Sequence, residues 1–213
     1  VIELIVKGAL SYAIGSIVGS LLIGKLRGID IRTVGSGNAG ATNMLRAQGK
    51  ALALAVLVID VVKGWIATYL IAAWHIPGIA EINAWGTTVC GLAVIIGHVY
   101  PVWYGFRGGK GVATFLGAVL GVSPMLVLVA AVVWLVMTIL LGYVGLASMV
   151  AAAAVGATIV VGTLSQRTPL CAFGIFAPLL IIYTHRGNIA RMREGKESRA
   201  RRIWLFGTRR GQS

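Results

Sequence analysis

Long apolar runs broken by short polar segments set the pattern of this chain. Seven runs stand out, at 4–23, 51–74, 84–96, 112–121, 124–141, 147–163 and 168–184. A membrane-spanning helix needs about 20 mainly apolar residues, fewer where neighbours shield it, so the pattern predicts an all-α polytopic membrane protein of seven transmembrane segments. The third and fourth runs are short: roughly 10 to 13 residues at 1.5 Å each reach only about 15 to 20 Å. They are expected inside the bundle, flanking the polar loop between them. Small residues at Gly15, Gly19, Ser20 and across 151–156 allow neighbouring helices to approach closely.

Composition agrees: 58% of the 213 residues are hydrophobic and only 12% charged, which excludes an ordinary soluble domain. The net charge of +13 would suit nucleic acid, but a basic nucleic-acid-binding domain would not carry so much apolar sequence. Membrane topology explains the charge better. Alternate connections collect Lys25, Arg27, Arg32, Arg46 and Lys50, then Arg107 and Lys110, then the many arginines after residue 185, against Arg167 alone on the opposite side. By the positive-inside rule the N-terminus is outside and the C-terminus cytoplasmic. The chain therefore divides into a seven-span unit at 1–184 and a basic cytoplasmic tail at 185–213, read as a solvated tail or a segment on anionic lipid, with Ile203, Trp204, Leu205 and Phe206 as an interfacial anchor. Cys90 and Cys171 lie in apolar runs without metal or redox spacing and read as buried small hydrophobes. No metal-ligand cluster or cofactor motif is visible.

Charge counting puts every chemically dense loop on the cytoplasmic side. The stretch from Gly97 through His98, Tyr100 and Pro101 to Gly108, Gly109, Lys110 and Gly111 sets cations and glycines between apolar runs. Its backbone can approach a phosphate, with Lys110 as a point charge, although a tight turn between two helices accounts for the glycines as well. It is not a P-loop, because Val112 follows Lys110 and Gly111 where Ser or Thr is needed. The first loop holds Ser36, Gly37, Asn38, Thr42, Asn43 and Arg46, a set dominated by donors that forms an oxyanion cradle, with Thr42 or Asn43 able to cap a following helix. Asp60 and Lys63, three apart within the second run, read as an ion pair inside the membrane, with a contribution of Lys63 to the phosphate sites as the alternative.

These blocks resemble the bacterial membrane glycerol-3-phosphate acyltransferases that use acyl phosphate. The similarity covers roughly 12–189 and rests on the Ser36 to Asn43 block with Arg46, on Gly97 to Pro101 continuing through Gly108 to Thr114, and on Tyr143 to Ser148. Smaller echoes are Asp60 to Gly64 and His185 to Ile189. The sequence departs from the family pattern at Gly142, usually basic, at Gly145, usually serine, and at Gly187, usually glutamate.

The resemblance implies transfer of a fatty acyl group from acyl phosphate to the sn-1 hydroxyl of glycerol 3-phosphate, giving lysophosphatidic acid and phosphate at the cytoplasmic face of a bacterial inner membrane. Its partners are then the two substrates, the lipid bilayer and the enzyme that supplies acyl phosphate; no nucleic acid and no cofactor are called for. An acyl phosphate is a mixed anhydride with a good leaving group, so positioning and charge stabilisation matter more than a strong base. Ser36, Asn38, Lys110 and His98 are the expected catalytic residues. Gly37, Thr42, Asn43, Arg46, Gly108, Gly109, Gly111, Ser148, His185 and Asn188 are the expected substrate-binding ones. Within that set, Ser36, Asn38, Thr42 and Asn43 are assigned to acyl phosphate, and Arg46, Lys110, His185 and Asn188 to glycerol 3-phosphate. His98 competes with a substrate phosphate for the role of base. The His-x4-Asp pattern of other glycerolphosphate acyltransferases is absent, since Trp103 follows His98 and Ala190 follows His185 at that spacing. An organic-phosphate transporter is disfavoured by the lack of internal repeats and by a nearly unbroken apolar outer half, a lipid phosphatase by the lack of a nucleophile with paired His and carboxylate.

Overall fold

The computed structural model describes residues 1–75, 83–164, 168–200 and 204–205. Regular structure among them is helical throughout: α1 Ile2–Gly15, α2 Gly19–Leu26, α3 Ala41–Gln48, α4 Lys50–Trp65, α5 Asn83–Val99, α6 Val112–Val122, α7 Pro124–Leu141, α8 Val144–Thr163, α9 Leu170–Thr184 and α10 Arg186–Arg193. Helix α4 runs on through a π-helical turn at Ile66–Ile71. Among the described residues, four helices are long and apolar enough to cross a membrane, at Lys50–Ile71, Trp85–Tyr104, Pro124–Leu141 and Val144–Thr163. Two bent pairs, α1 with α2 at 45° and α9 with α10 at 52°, meet the same test together. Met125, Leu128, Val132, Leu135 and Leu140 all stay exposed along α7, as expected of a face turned to lipid.

The first run is broken, where an unbroken helix was expected, and the cause is polar. Between Gly15 and Gly19 the helical ladder stops, freeing carbonyls and an amide that a membrane interior cannot solvate. Lys63 Nζ donates to Gly15 O at 3.0 Å and Ile17 O at 2.8 Å, and Gly19 N donates to Asp60 Oδ1 at 3.2 Å. The pair expected at Asp60 and Lys63 is present at 2.8 Å and also holds the break. A second buried pair, Glu3 with Lys7 at 2.5 Å, lies in α1, where the apolar pattern concealed it; Lys7 also donates to Ala72 O at 2.9 Å.

The third run is longer than expected. Helix α5 continues through Gly97 and His98 to Val99, 17 residues in all, because the His98 ring finds polar partners inside the bundle and need not end the helix. The fourth run is short as expected: α6 has 11 residues, about 16 Å at 1.5 Å each. It is buried by close approach to α4. A Cβ on Gly117 would fall 1.9 Å from Val61 O, and one on Gly64 2.2 Å from Thr114 O, so only glycine lets these backbones touch. The core then spreads from Phe115 of α6 onto Phe173 of α9, ring centroids 6.2 Å apart, and across Val94 and Ile95 of α5. The outer segment 76–82, Arg167, Arg201, Arg202, Arg209, Arg210, Ile203 and Phe206 lie outside the described residues.

Candidate functional site

At one end of the bundle a cavity of about 770 Å³ opens between the first loop, the loop before α6, the start of α8, and α10. Ser36, Asn38, Thr42, Asn43 and Arg46 line it from the first loop and α3. His98 lines it from the end of α5, Lys110 and Gly111 from the central loop, and Ser148, His185 and Asn188 complete it from α8, the turn after α9 and α10. Residues far apart in the chain thus share one chamber, as the bond from Arg46 to Ser198 Oγ at 3.4 Å, across 152 positions, illustrates. Deeper in, Leu57, Phe115, Leu116, Ala130, Trp134 and Ala152 give the cavity an apolar wall. A polar mouth over an apolar wall suits an amphiphile with an anionic head.

Three predicted glycines do something other than cradle a ligand. Gly108 N donates to Val99 O and Gly109 N to His98 O, each at 3.1 Å, closing the C-terminus of α5, whose last carbonyls need donors. Gly37 N donates to Val34 O at 3.1 Å inside the first loop. None of the three is on the cavity lining; Gly111, the N-cap of α6, is. Gly109 is required for fit, since a Cβ there would meet both Ala39 O and His98 Nε2 at 2.3 Å.

Asn43 is likewise spent on the chain. Its amide donates to Ile31 O at 3.0 Å and Val34 O at 2.8 Å and accepts from Ser36 N at 2.9 Å. This buried side chain therefore shapes the loop carrying Ser36 and Asn38 as well as lining the cavity. The expected cap is also different: α3 is capped by Gly40, with Thr42 and Asn43 in its first turn. That turn opens on the cavity at Gly40, Ala41 and Thr42, a helix N-terminus facing the place for an anion. Arg32 fastens the first loop to the central one by donating to Tyr104 O at 3.1 Å and Arg107 O at 3.2 Å, while Asp30 grips its other nitrogens. Ser148 donates to Val144 O at 2.9 Å and accepts from Trp134 Nε1 at 3.2 Å, which fixes its hydroxyl at the apolar wall.

Lys110 rests on one side-chain partner at the mouth. Its ammonium donates to Asn188 Oδ1, and burial, reinforced by Arg191 and Arg46, holds it down to about 8 against partial compensation by Glu197. His185 Nδ1 lies 2.7 Å from Ile181 O, which can only accept, so Nδ1 carries a proton and Nε2 remains for the cavity. His98 is 3% exposed and its Nδ1 lies 2.8 Å from Lys63 Nζ. Asp60 Oδ1 lies 3.4 Å from the same nitrogen, so Nδ1 faces both an ammonium that only donates and a carboxylate that only accepts.

Sequence reasoning missed the tail. Residues 196–198 line the cavity mouth, where a solvated tail was expected, and Asn188 Nδ2 donates to Glu197 Oε1 at 2.7 Å. A run of like charges hid Glu197; the signal available was the acid pair Glu194 and Glu197 around Gly195 in an otherwise basic stretch. The family departures are also accommodated here. Asn188 packs against Gly145 where a side chain would lie within 2.8 Å of its Nδ2, and Gly142 receives Arg199 and Trp204 from the tail.

A bundle with membrane-length helices, a cation-rich mouth and an apolar interior defines an integral membrane enzyme or carrier for an anionic amphiphile. The comparisons decide which. The sequence profile of the glycerol-3-phosphate acyltransferase family matches residues 5–195, and the chain belongs to that family. It is 44% identical over 189 residues to the glycerol-3-phosphate acyltransferase of Aquifex aeolicus (strain VF5), covering 89% of this chain and 95% of the relative, and 43% identical over 200 residues to that of Albidiferax ferrireducens, covering 89% and 86%. Its fold is similar to a crystal structure of PlsY (YgiH), an integral membrane glycerol 3-phosphate acyltransferase, in the glycerol 3-phosphate form: TM-score 0.81, 38% identity, 92% of this chain and 94% of that one. The lysophosphatidic acid form aligns with a TM-score of 0.79 at the same identity and coverage.

Proposed function

We propose that the chain transfers a fatty acyl group from acyl phosphate to the sn-1 hydroxyl of glycerol 3-phosphate, releasing phosphate and leaving lysophosphatidic acid in the membrane. The observation that carries this reading is the single cavity in which the donor-rich mouth continues into the apolar wall formed by α6, α7 and α8. Two phosphate-bearing substrates then meet at the mouth while the acyl chain lies along the wall. Ser36, Asn38 and Thr42, with the first turn of α3, take the acyl phosphate head and polarise its carbonyl. Arg46, Lys110, His185 and Asn188 hold the glycerol 3-phosphate. Asn43, Ser148, Gly108 and Gly109 act as positioning residues. The glycerol oxygen attacks the carbonyl carbon, the carbon–oxygen bond to phosphate breaks, and the hydroxyl proton passes to a substrate phosphate oxygen. His98, held at Nδ1 by Lys63 and Asp60, serves as a positioned polar group and not as the base.

The same reading takes the four long helices, the two bent pairs and α6 as seven spans, with the N-terminus outside and the cavity at the cytoplasmic face of the bacterial inner membrane. It is supported by the clustering of Lys25, Arg27, Arg32, Arg46, Arg107 and Lys110 at the cavity end, against few basic residues elsewhere in the bundle. The test supplies detergent-purified protein with palmitoyl phosphate and glycerol 3-phosphate. Lysophosphatidate and phosphate appear in equal amounts if the reading holds. Phosphate alone would make the protein a hydrolase, and product from acyl-CoA but not from acyl phosphate would replace the donor.

A further inference from the structure

Helix α10 ends in a tight reversal. Gly195 takes a left-handed conformation (φ 67°), Gly195 N donates to Met192 O at 3.1 Å and Lys196 N to Arg191 O at 2.8 Å, a paired closure that turns the chain back along its own helix. The next residue is thereby aimed into the cavity. Glu197 spans Asn188 and Arg191 with its two oxygens: Oε1 accepts from Asn188 Nδ2 and Oε2 from Arg191 Nε, each at 2.7 Å. Asn188 in turn holds Lys110 through its other amide atom. The result is a planar anion placed among Lys110, Arg191 and Asn188, three groups suited to phosphate oxygens.

The strap bearing this carboxylate is anchored a few residues further on. Ala200 N donates to Gly142 O at 2.8 Å, Leu205 N to Ile139 O at 2.8 Å, and Trp204 Nε1 to Leu140 O at 3.2 Å. The Arg199 guanidinium lies 4.6 Å from the Tyr143 ring centroid and 4.1 Å from that of Trp204. Gly142 leaves room for this, since a Cβ there would fall 2.9 Å from Trp204 Cγ. The strap begins where the family profile ends, at residue 195, so this carboxylate lies outside the matched span.

On the functional reading above, we infer that Glu197 is a resident anion of the acceptor subsite: its carboxylate keeps Asn188 and Arg191 arranged, and the phosphate of glycerol 3-phosphate must displace it to bind. Two anions of this charge cannot share those donors at hydrogen-bond distance without strong repulsion, so the strap withdraws as phosphate enters and returns as it leaves. Glu197 thus sets the affinity of the subsite and speeds release of a phosphate-bearing ligand. It is a positioning and specificity residue, because it touches the donors and not the reacting atoms.

The experiment uses the full-length protein in detergent and its Glu197→Gln variant, which keeps the shape and removes the charge. Inorganic phosphate is titrated onto each by calorimetry, and KM for glycerol 3-phosphate is measured in parallel. The variant should bind inorganic phosphate more tightly and show a lower KM by about three- to tenfold, with kcat unchanged or reduced. Trp204→Ala, which frees the strap without touching Glu197, should shift both in the same direction by less. Unchanged or weaker phosphate binding in Glu197→Gln overturns the inference, because a residue that only braces Asn188 gives that result. The calorimetric readout separates the two levels. A wild-type protein that forms no lysophosphatidate removes the functional reading, whereas tighter phosphate binding by the variant would still stand; normal turnover without tighter binding removes Glu197 alone.

Discussion

Two lysines, one buried behind the site and one at its mouth, show how the same side chain is made structural or functional by its partners. Lys63 is 4% exposed and has Gly15 O, Ile17 O, Asp60 Oδ1 and His98 Nδ1 within 3.0 Å, more partners than it has protons. Nothing is left to offer a ligand, and two of its bonds, to Gly15 O and Ile17 O, mend the break in the helix at Gly15–Gly19. Lys110 rests on a single amide oxygen at the rim of an open cavity. Its charge is under-compensated, which is the condition for binding an incoming anion. A saturated cation builds the scaffold, and an unsaturated one within reach of it does the binding.

The sharpest way to break this contrast is to remove Lys63. Lys63→Ala should cost about 3–5 kcal/mol, because Asp60 loses its buried counter-ion and two helix carbonyls lose their donor. Thermal unfolding in detergent should fall accordingly, and the activity of protein that survives at low temperature should fall less than its stability. Normal stability in that variant would mean that the break between α1 and α2 is held by something else.

Lys110→Ala should do the opposite. The fold should keep its melting temperature, since the ammonium is costly to bury and makes one side-chain bond, while kcat/KM for glycerol 3-phosphate drops by about 10²- to 10³-fold. Equal loss in stability and activity would erase the distinction between the two lysines.

His98 stands between them, its Nδ1 on Lys63 and its side chain on the cavity lining. His98→Ala should lower kcat by about tenfold to thirtyfold as one positioned polar group is lost, measured at saturating substrates. A loss nearer 10⁴-fold is what removal of an essential base would give, and it would reassign the proton transfer from the substrate phosphate to this ring.

The apolar runs were legible because hydropathy is a local property: each falls on helix, the first on two and the others on one each. The polar interruptions within runs were read less well, since their meaning depends on what lies opposite. His98 looks like a loop residue in the sequence and lies in the last turn of α5, where Lys63 reaches it from α4; the first run looks continuous and is broken because Asp60 and Lys63 take over its backbone bonds. The members of the site were identifiable by residue type, but not the division of labour among them. Asn43 and the amides of Gly108 and Gly109 look like ligand donors until their acceptors in Ile31, Val34, His98 and Val99 are known. Glu197 was hidden for a different reason: a basic tail is normally solvated, and only the reversal at Gly195 turns this one inward.

The pH response gives the smallest effect and the finest test of the two environments. Burial and the neighbouring arginines hold Lys110 down to about 8 from an ordinary value of 10.5, so its charge is complete below that point and is lost as pH rises through it. At low substrate, kcat/KM should be about halved at pH 8 and fall about tenfold per unit above it, whereas saturating glycerol 3-phosphate should move the limb upward because a bound phosphate favours the ammonium. Stability should respond with the other sign. Between about 8 and 10.5 the unfolded chain binds the proton that the folded chain has released, so the contribution of Lys110 to folding rises with pH over the same window in which activity falls. Comparison with Lys110→Ala isolates both effects: the stability gain and the alkaline limb should disappear together, and an alkaline limb that persists in the variant would assign it to another group.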